Sequence, residues 1–149
     1  MVATGQNLEN LTLTINQEIH VKAPMDVTFA ALLEQLGPGN ETPTGKSLNM
    51  KIEAWPGGRW YRDMGDGNGH FWANVKAIMR PTLLEFVGPL FASVPLYSNV
   101  QYRLSEAEGG TLIVFRHAAL GFASEDQRAD MNKGWTWIHE RVRSLAEAG

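Results

Sequence analysis

The sequence predicts an α+β fold: an antiparallel sheet of about seven strands packed against one long C-terminal helix, as a single domain over residues 1–149. Three observations predict it. Residues 11–22 alternate apolar and polar side chains. Residues 48–118 break into short apolar runs separated by turn residues. Residues 124–147 carry one apolar stripe at helical spacing. A long helix with one apolar stripe must bury that stripe, and the large surface available is the face of the sheet.

The elements follow in chain order. In LTLTINQEIHVK, residues 11–22, Leu11, Leu13, Ile15, Ile19 and Val21 fall on one side. Thr12, Thr14, Asn16, Glu18, His20 and Lys22 fall on the other, as in a half-buried strand. Gln17 interrupts the apolar series. Either its amide points inward to partners or the strand bulges there. Pro24 suits the first turn of a helix and Asp26 suits its positive end. That helix should run to about Leu36, where Gly37-Pro38-Gly39 stops it. Residues 39–47 read as a polar loop.

Six strands are then expected near 48–55, 58–64, 70–79, 82–88, 96–105 and 110–118. Pro56-Gly57, the Gly65–Gly69 run, Pro81, Gly88-Pro89 and Gly109-Gly110 separate them. Such short connections imply antiparallel neighbours. Ser124 with Gln127 forms a capping box at the start of the last helix. Met131, Trp135, Ile138, Val142 and Leu145 follow as its stripe. Trp137 lies nearly opposite and is expected to be exposed unless a partner covers it.

Bulk properties exclude several functions. The chain has 149 residues, a net charge of −3 and no cysteine. Its basic residues are scattered, so nucleic acid and anionic membrane are poor partners. Disulfides and thiol chemistry are excluded. No leader pattern or stretch of 18 apolar residues is present, which predicts a cytoplasmic protein. No cofactor is implied.

The glycine-rich stretch EAWPGGRWYRDMGDGNGHFW, residues 53–72, lacks the spacing of a dinucleotide loop and the Gly-Lys-Ser/Thr ending of a P-loop. It fails as a calcium loop because Phe71 and Ala77 stand where Gly and Glu are needed. Two tight turns joining aromatic-bearing strands remain. Trp60, Trp72, Phe86 and Phe115 lie on these strands, with Trp135 on the facing helix stripe. Such rings either fill a core or wall a cavity for a hydrophobic or aromatic ligand.

No complete catalytic constellation is present. His139-Glu140 begins a zinc-protease helix motif, but Arg143 occupies the second histidine position. His20, His70, His117 and His139 lack metal-binding spacing. Glu53 and Asp63 read as solvated strand charges, with Arg59 as their surface partner. FVGPLFASVPLYSN, residues 86–99, is apolar, yet Pro89 and Pro95 prevent one regular central strand. It reads as a bulged core strand, a mobile lid or a homodimer contact shared with Trp137.

The order and spacing of EIHVKAPMDVTFAAL, WPGGRW, GHFWANVKAI, PTLLEFVGP, GGTLIVFRHAALG and GWTWIHERVRSLAE resemble a known fold over about residues 13–147. It is the helix-grip fold of the START and birch-pollen-allergen superfamily, SRPBCC. The branch is similar to the C-terminal domain of the activator of heat shock protein 90 ATPase. The resemblance implies a curved sheet wrapped around the C-terminal helix, with a cavity between them. It turns Ile113, Phe115 and His117 inward and Leu112, Val114 and Arg116 outward. The implied ligand-binding set is Trp60, Trp72, Phe86, Phe115, His117, Trp135 and Ile138. His117 could orient a ligand or serve as a base near neutral pH. Three functions follow: small-molecule binding, a chaperone partner, or a hydrolase or cyclase acting on a hydrophobic substrate.

Overall fold

The computed structural model describes residues 11–90 and 93–149. Its elements run β1 (Thr12–Val21), α1 (Met25–Leu36), β2 (Met50–Ile52), β3 (Arg59–Gly65), β4 (Asn68–Met79), β5 (Leu83–Gly88), β6 (Leu96–Ala107), β7 (Gly110–Gly121) and α2 (Glu125–Ala148). The strands form one antiparallel sheet in the order β1-β7-β6-β5-β4-β3-β2. Register shifts within the β3–β4 and β4–β5 pairs mark bulges, which bend a sheet. The sheet grips α2, giving the helix-grip architecture.

β1 closes the sheet against the last strand. Ile15 pairs with His117 and Gln17 with Phe115, in unbroken register. Leu13, Ile15, Ile19 and Val21 are buried. Gln17 is therefore a satisfied inward glutamine and not a bulge. Its amide nitrogen donates to Asn132 Oδ1 and Thr136 Oγ1 on α2, both at 3.1 Å.

Turn chemistry explains the glycine-rich stretch. Gly58 N–H donates to Trp55 O at 2.8 Å, with Pro56 and Gly57 between them. Gly57 has φ 85°, as position three of a type II turn requires. β3 and β4 are joined by Asp66-Gly67 alone, with φ 56° and 78°. Positive φ at both central residues is the type I′ pattern that matches strand twist. The charges there are paired on the surface. Arg59 makes two 2.9 Å bonds to the Glu53 carboxylate, which hold its pKa down at about 2. Lys51 lies 2.7 Å from Asp63.

α2 begins as its sequence dictates. Ser124 Oγ accepts from Gln127 N–H at 3.1 Å, and Gln127 Oε1 accepts from Ser124 N–H at 2.8 Å. Ser124→Ala should cost about 1 kcal/mol, read as a shifted urea midpoint at unchanged slope. An unaltered midpoint would mean that water caps the helix equally well.

Met131, Trp135, Ile138, Val142, His139 and Ala146 are the buried face of α2. Leu145 is a correction: it is 41% exposed, and Ala146 takes its place. At 3.6 residues per turn, a spacing of four after Val142 keeps the inward phase. Trp137 is a second correction. It is half-buried by its own chain, because its Nε1 donates to Glu41 O at 2.9 Å. The Arg141 guanidinium lies 5.4 Å from its ring centre.

β5 ends at Gly88 and β6 begins at Leu96, so Pro89 and Pro95 both lie off the strands. Residues 91 and 92 of the expected lid or dimer segment lie outside the described residues. Among the described residues no helix is long and apolar enough to cross a membrane.

Candidate functional site

The inward alternation of β7 delivers Ile113, Phe115 and His117 to the interior, while Val114 and Arg116 are exposed. Trp60, Phe86, Phe115 and Trp135 are fully buried. They form two ring groups. Trp60 stacks on Phe86 at 4.7 Å and meets Trp72 edge-on at 5.0 Å. Phe115 lies 4.8 Å from Trp135 and 5.0 Å from Tyr102. The indole of Trp60 is anchored by donating to Leu36 O at 2.8 Å.

Two buried histidines sit beside these rings, and their hydrogen bonds fix their tautomers. Trp135 Nε1–H donates to His117 Nδ1 at 3.0 Å. An indole nitrogen only donates, so Nδ1 is the acceptor and Nε2 carries the proton. That Nε2–H then donates to Ser98 Oγ at 2.9 Å. Burial lowers the His117 pKa to about 4. At neutral pH His117 has no free lone pair, so this geometry makes it a hydrogen-bond donor and not a proton acceptor.

His139 has the opposite tautomer. Its Nδ1 donates to Gln17 Oε1 at 2.7 Å, leaving Nε2 to accept from the Tyr102 hydroxyl at 2.9 Å. Burial lowers the His139 pKa to about 3 and raises that of Tyr102 well above its ordinary value. Sequence reasoning missed this triad, although Gln17 in an apolar series was its signal. His20 and His70 are exposed.

Among the described residues, space lies in two places near the interior. A void of about 10 Å³ touches His117, Ser98, Leu90, Leu96 and Met131, room for about one water. A groove of about 270 Å³ opens between the sheet and α2. Trp72 supplies its β4 wall, and Gly134, Trp137 and Ile138 its α2 wall. Asn40, Glu41, Thr42, Pro43 and Leu48 form its roof, from the connection between α1 and β2. Its wall is apolar, and its volume approaches the range of about 300–1,000 Å³ that takes small organic ligands.

Of the seven expected ligand-binding residues, Trp72 and Ile138 line this groove, and His117 lines the small void. Trp60, Phe86, Phe115 and Trp135 line neither and pack behind them. Trp137, outside the helix stripe, was the sequence signal that another segment covers this side of α2. Two surface depressions of about 380 Å³ and 470 Å³ are larger. Charged residues line them beside apolar ones, including Arg59, Arg62, Asp63 and Lys51, so their walls are more polar than that of the groove.

The roof is clamped by α2. Arg141 pairs with the Glu41 carboxylate at 3.1 Å and donates from Nε to Gln35 Oε1 at 3.0 Å. Its guanidinium also reaches Gly39 O at 3.5 Å. Half-exposed ion pairs contribute little stability singly, but together these contacts hold the loop in one place.

The family model described as Activator of Hsp90 ATPase homolog 1-like protein matches residues 22–147. The chain belongs to this family. No curated protein matches it. Among solved structures, an uncharacterized protein from Rhizobium leguminosarum shares the family member's fold with a TM-score of 0.72 at 20% identity. The match covers 93% of this chain and 96% of that one. Ara h 8.0201 matches with a TM-score of 0.66 at 16% identity, over 93% and 99% of the two chains. The di-domain ARO/CYC StfQ from the steffimycin biosynthetic pathway matches at 0.63 and 13% identity. That match covers 95% of this chain and 51% of StfQ, so this chain spans about half its length. Likeness at these identities shows a shared fold and assigns no substrate.

Proposed function

We propose that this family member binds a small hydrophobic or aromatic molecule in the groove between β4, α2 and the 40–48 loop. The observation that carries this is the apolar wall made by Trp72, Trp137, Ile138 and Leu48 around about 270 Å³. The rings are already positioned: the Trp137 indole is bonded to the roof, and Trp72 packs on Trp60. A site formed before the ligand arrives avoids much of the ordering cost of binding. StfQ, which shares this fold and comes from a biosynthetic pathway, supports small-molecule handling by such a sheet and helix.

Gly134 provides the test. A Cβ built there meets nothing within 4 Å, and the residue lines the groove from within α2. Gly134→Leu should fill the groove while raising helix propensity by up to about 1 kcal/mol. The neutral dye N-phenyl-1-naphthylamine is expected to brighten on binding the native protein. At a hundredfold excess over its Kd it should raise Tm by roughly 5–10 °C. Gly134→Leu should melt no lower than the native protein and lose the dye response. An undiminished response in that variant would place the dye elsewhere and remove the groove from consideration.

A further inference from the structure

We propose that Gly134 is the specificity-determining residue of the groove: it leaves the α2 backbone bare between two tryptophans, as a seat for a flat aromatic ring rather than for a saturated ring or an acyl chain. The inference deepens the groove reading and rests on it. Gly134 lies inside α2, where glycine costs stability relative to alanine. Its φ is not in the left-handed region, and a Cβ there would meet nothing within 4 Å. Neither backbone conformation nor crowding therefore calls for glycine. At Gly58, Gly69 and Gly88 the fold does call for it, because an added Cβ would collide with the backbone of Glu53, Arg62 and Trp72 respectively. A position that breaks a local rule without a structural need points to a functional constraint.

The space beside Gly134 is part of the groove. The residue is half-buried, although nothing stands where its side chain would be. Trp137 and Ile138, three and four residues on, share its face of α2, and all three line the groove. Trp72 lines it from β4, and Pro43 and Leu48 line it from the roof. The polar tips of both indoles are engaged by the protein. Trp137 Nε1 donates to Glu41 O at 2.9 Å, and Trp72 Nε1 donates to His70 Nδ1 at 3.2 Å. The ring carbons are therefore what the two tryptophans offer a ligand.

Aromatic walls favour an aromatic occupant. Paired π systems attract beyond the area they bury, whereas a saturated ring gains burial alone. An acyl chain also loses rotamer freedom on binding. A flat ring laid against bare helix backbone reaches a depth that a β-carbon would deny it. One methyl group at position 134 is therefore enough to close the seat.

The test uses 2-naphthalenemethanol and its ring-saturated counterpart, decahydro-2-naphthalenemethanol, which carry the same alcohol on the same carbon skeleton. Each is titrated by calorimetry into the native protein and into Gly134→Ala, and the Tm of each protein is recorded. The saturated probe presents the more apolar surface, so burial alone would favour it. The native protein should instead bind the naphthyl probe about tenfold more tightly. Gly134→Ala should melt no lower than the native protein. It should weaken the naphthyl probe about tenfold and bring the two affinities within about twofold. Equal affinities in the native protein, or a preference for the saturated probe, overturn the inference; the groove reading stands if Gly134→Leu still loses the dye response. A naphthyl preference that survives in the alanine variant also overturns the inference. So does an alanine variant that melts lower, because the glycine would then serve the fold. Binding of neither probe, with no dye response from the native protein, overturns the groove reading and this inference with it.

Discussion

Lowering the pH from 7 to 4.5 is expected to remove up to about 5 kcal/mol of folding stability, before most surface carboxylates are protonated. His117 and His139 are the cause. Each begins from an ordinary value of 6.5, and burial lowers it in the folded state to about 4 and about 3 respectively. Below pH 6.5 the unfolded chain takes up protons that the folded protein refuses. Stability is therefore full above that point and falls as pH drops toward the folded values. Each histidine contributes a slope of about 1.4 kcal/mol per pH unit inside this window. Protonation is opposed by geometry as well as by burial. The Trp135 N–H already points at His117 Nδ1, and the Tyr102 O–H already points at His139 Nε2. Paired carboxylates act lower: Glu53, held at about 2 by Arg59, matters only below its ordinary range. Urea unfolding followed by tryptophan fluorescence at half-unit steps would reveal the slope. His117→Gln, if it folds, should remove about half of it. A flat profile from pH 6.5 to 4.5 would mean that the buried rings accept protons without cost.

Trp135→Ala should cost about 3–5 kcal/mol, a large part of the roughly 5–15 kcal/mol that holds a domain together. Tm would fall by roughly 10–15 °C. Trp135 is fully buried, stacks near Phe115 and His139, and satisfies His117. Its removal opens a cavity and leaves an acceptor without its donor. Trp135→Phe separates the two effects. It keeps most of the ring contact and loses the N–H, so it should cost about 1–3 kcal/mol. If the phenylalanine variant were as stable as the native protein, the indole–imidazole bond would contribute nothing net. If the alanine variant lost less than about 2 kcal/mol, the surrounding rings would have to collapse into the space far more readily than packed cores do.

Much of the fold was legible because its signals are local. The 11–22 alternation, the Asp66-Gly67 and Pro56-Gly57 pairs and the Ser124–Gln127 box each depend on residues within a few positions of one another. The observed strands and helices accordingly fall close to the expected ones, with β7 extending to Gly121 because β6 stays paired as far as Leu96. The site was less legible. Ring residues were read correctly as inward, but inward does not distinguish a wall from a filling. Trp72 and Ile138 became wall, while Trp60, Phe86, Phe115 and Trp135 became packing behind it. Asn40 was hidden in a loop whose polar composition suggested only solvent exposure.

By itself the sequence determined the α+β class, the turns and the helix stripe, since periodicity and backbone sterics act along the chain, whereas the inward phase of Phe115 and His117 came from the resemblance. Only the tertiary structure decided that Gln17, Tyr102 and His139 form one hydrogen-bonded triad, that the 40–48 loop covers Trp137, and that the groove opens between Trp72 and α2. Those depend on which side chains, distant in sequence, exclude water from the same volume.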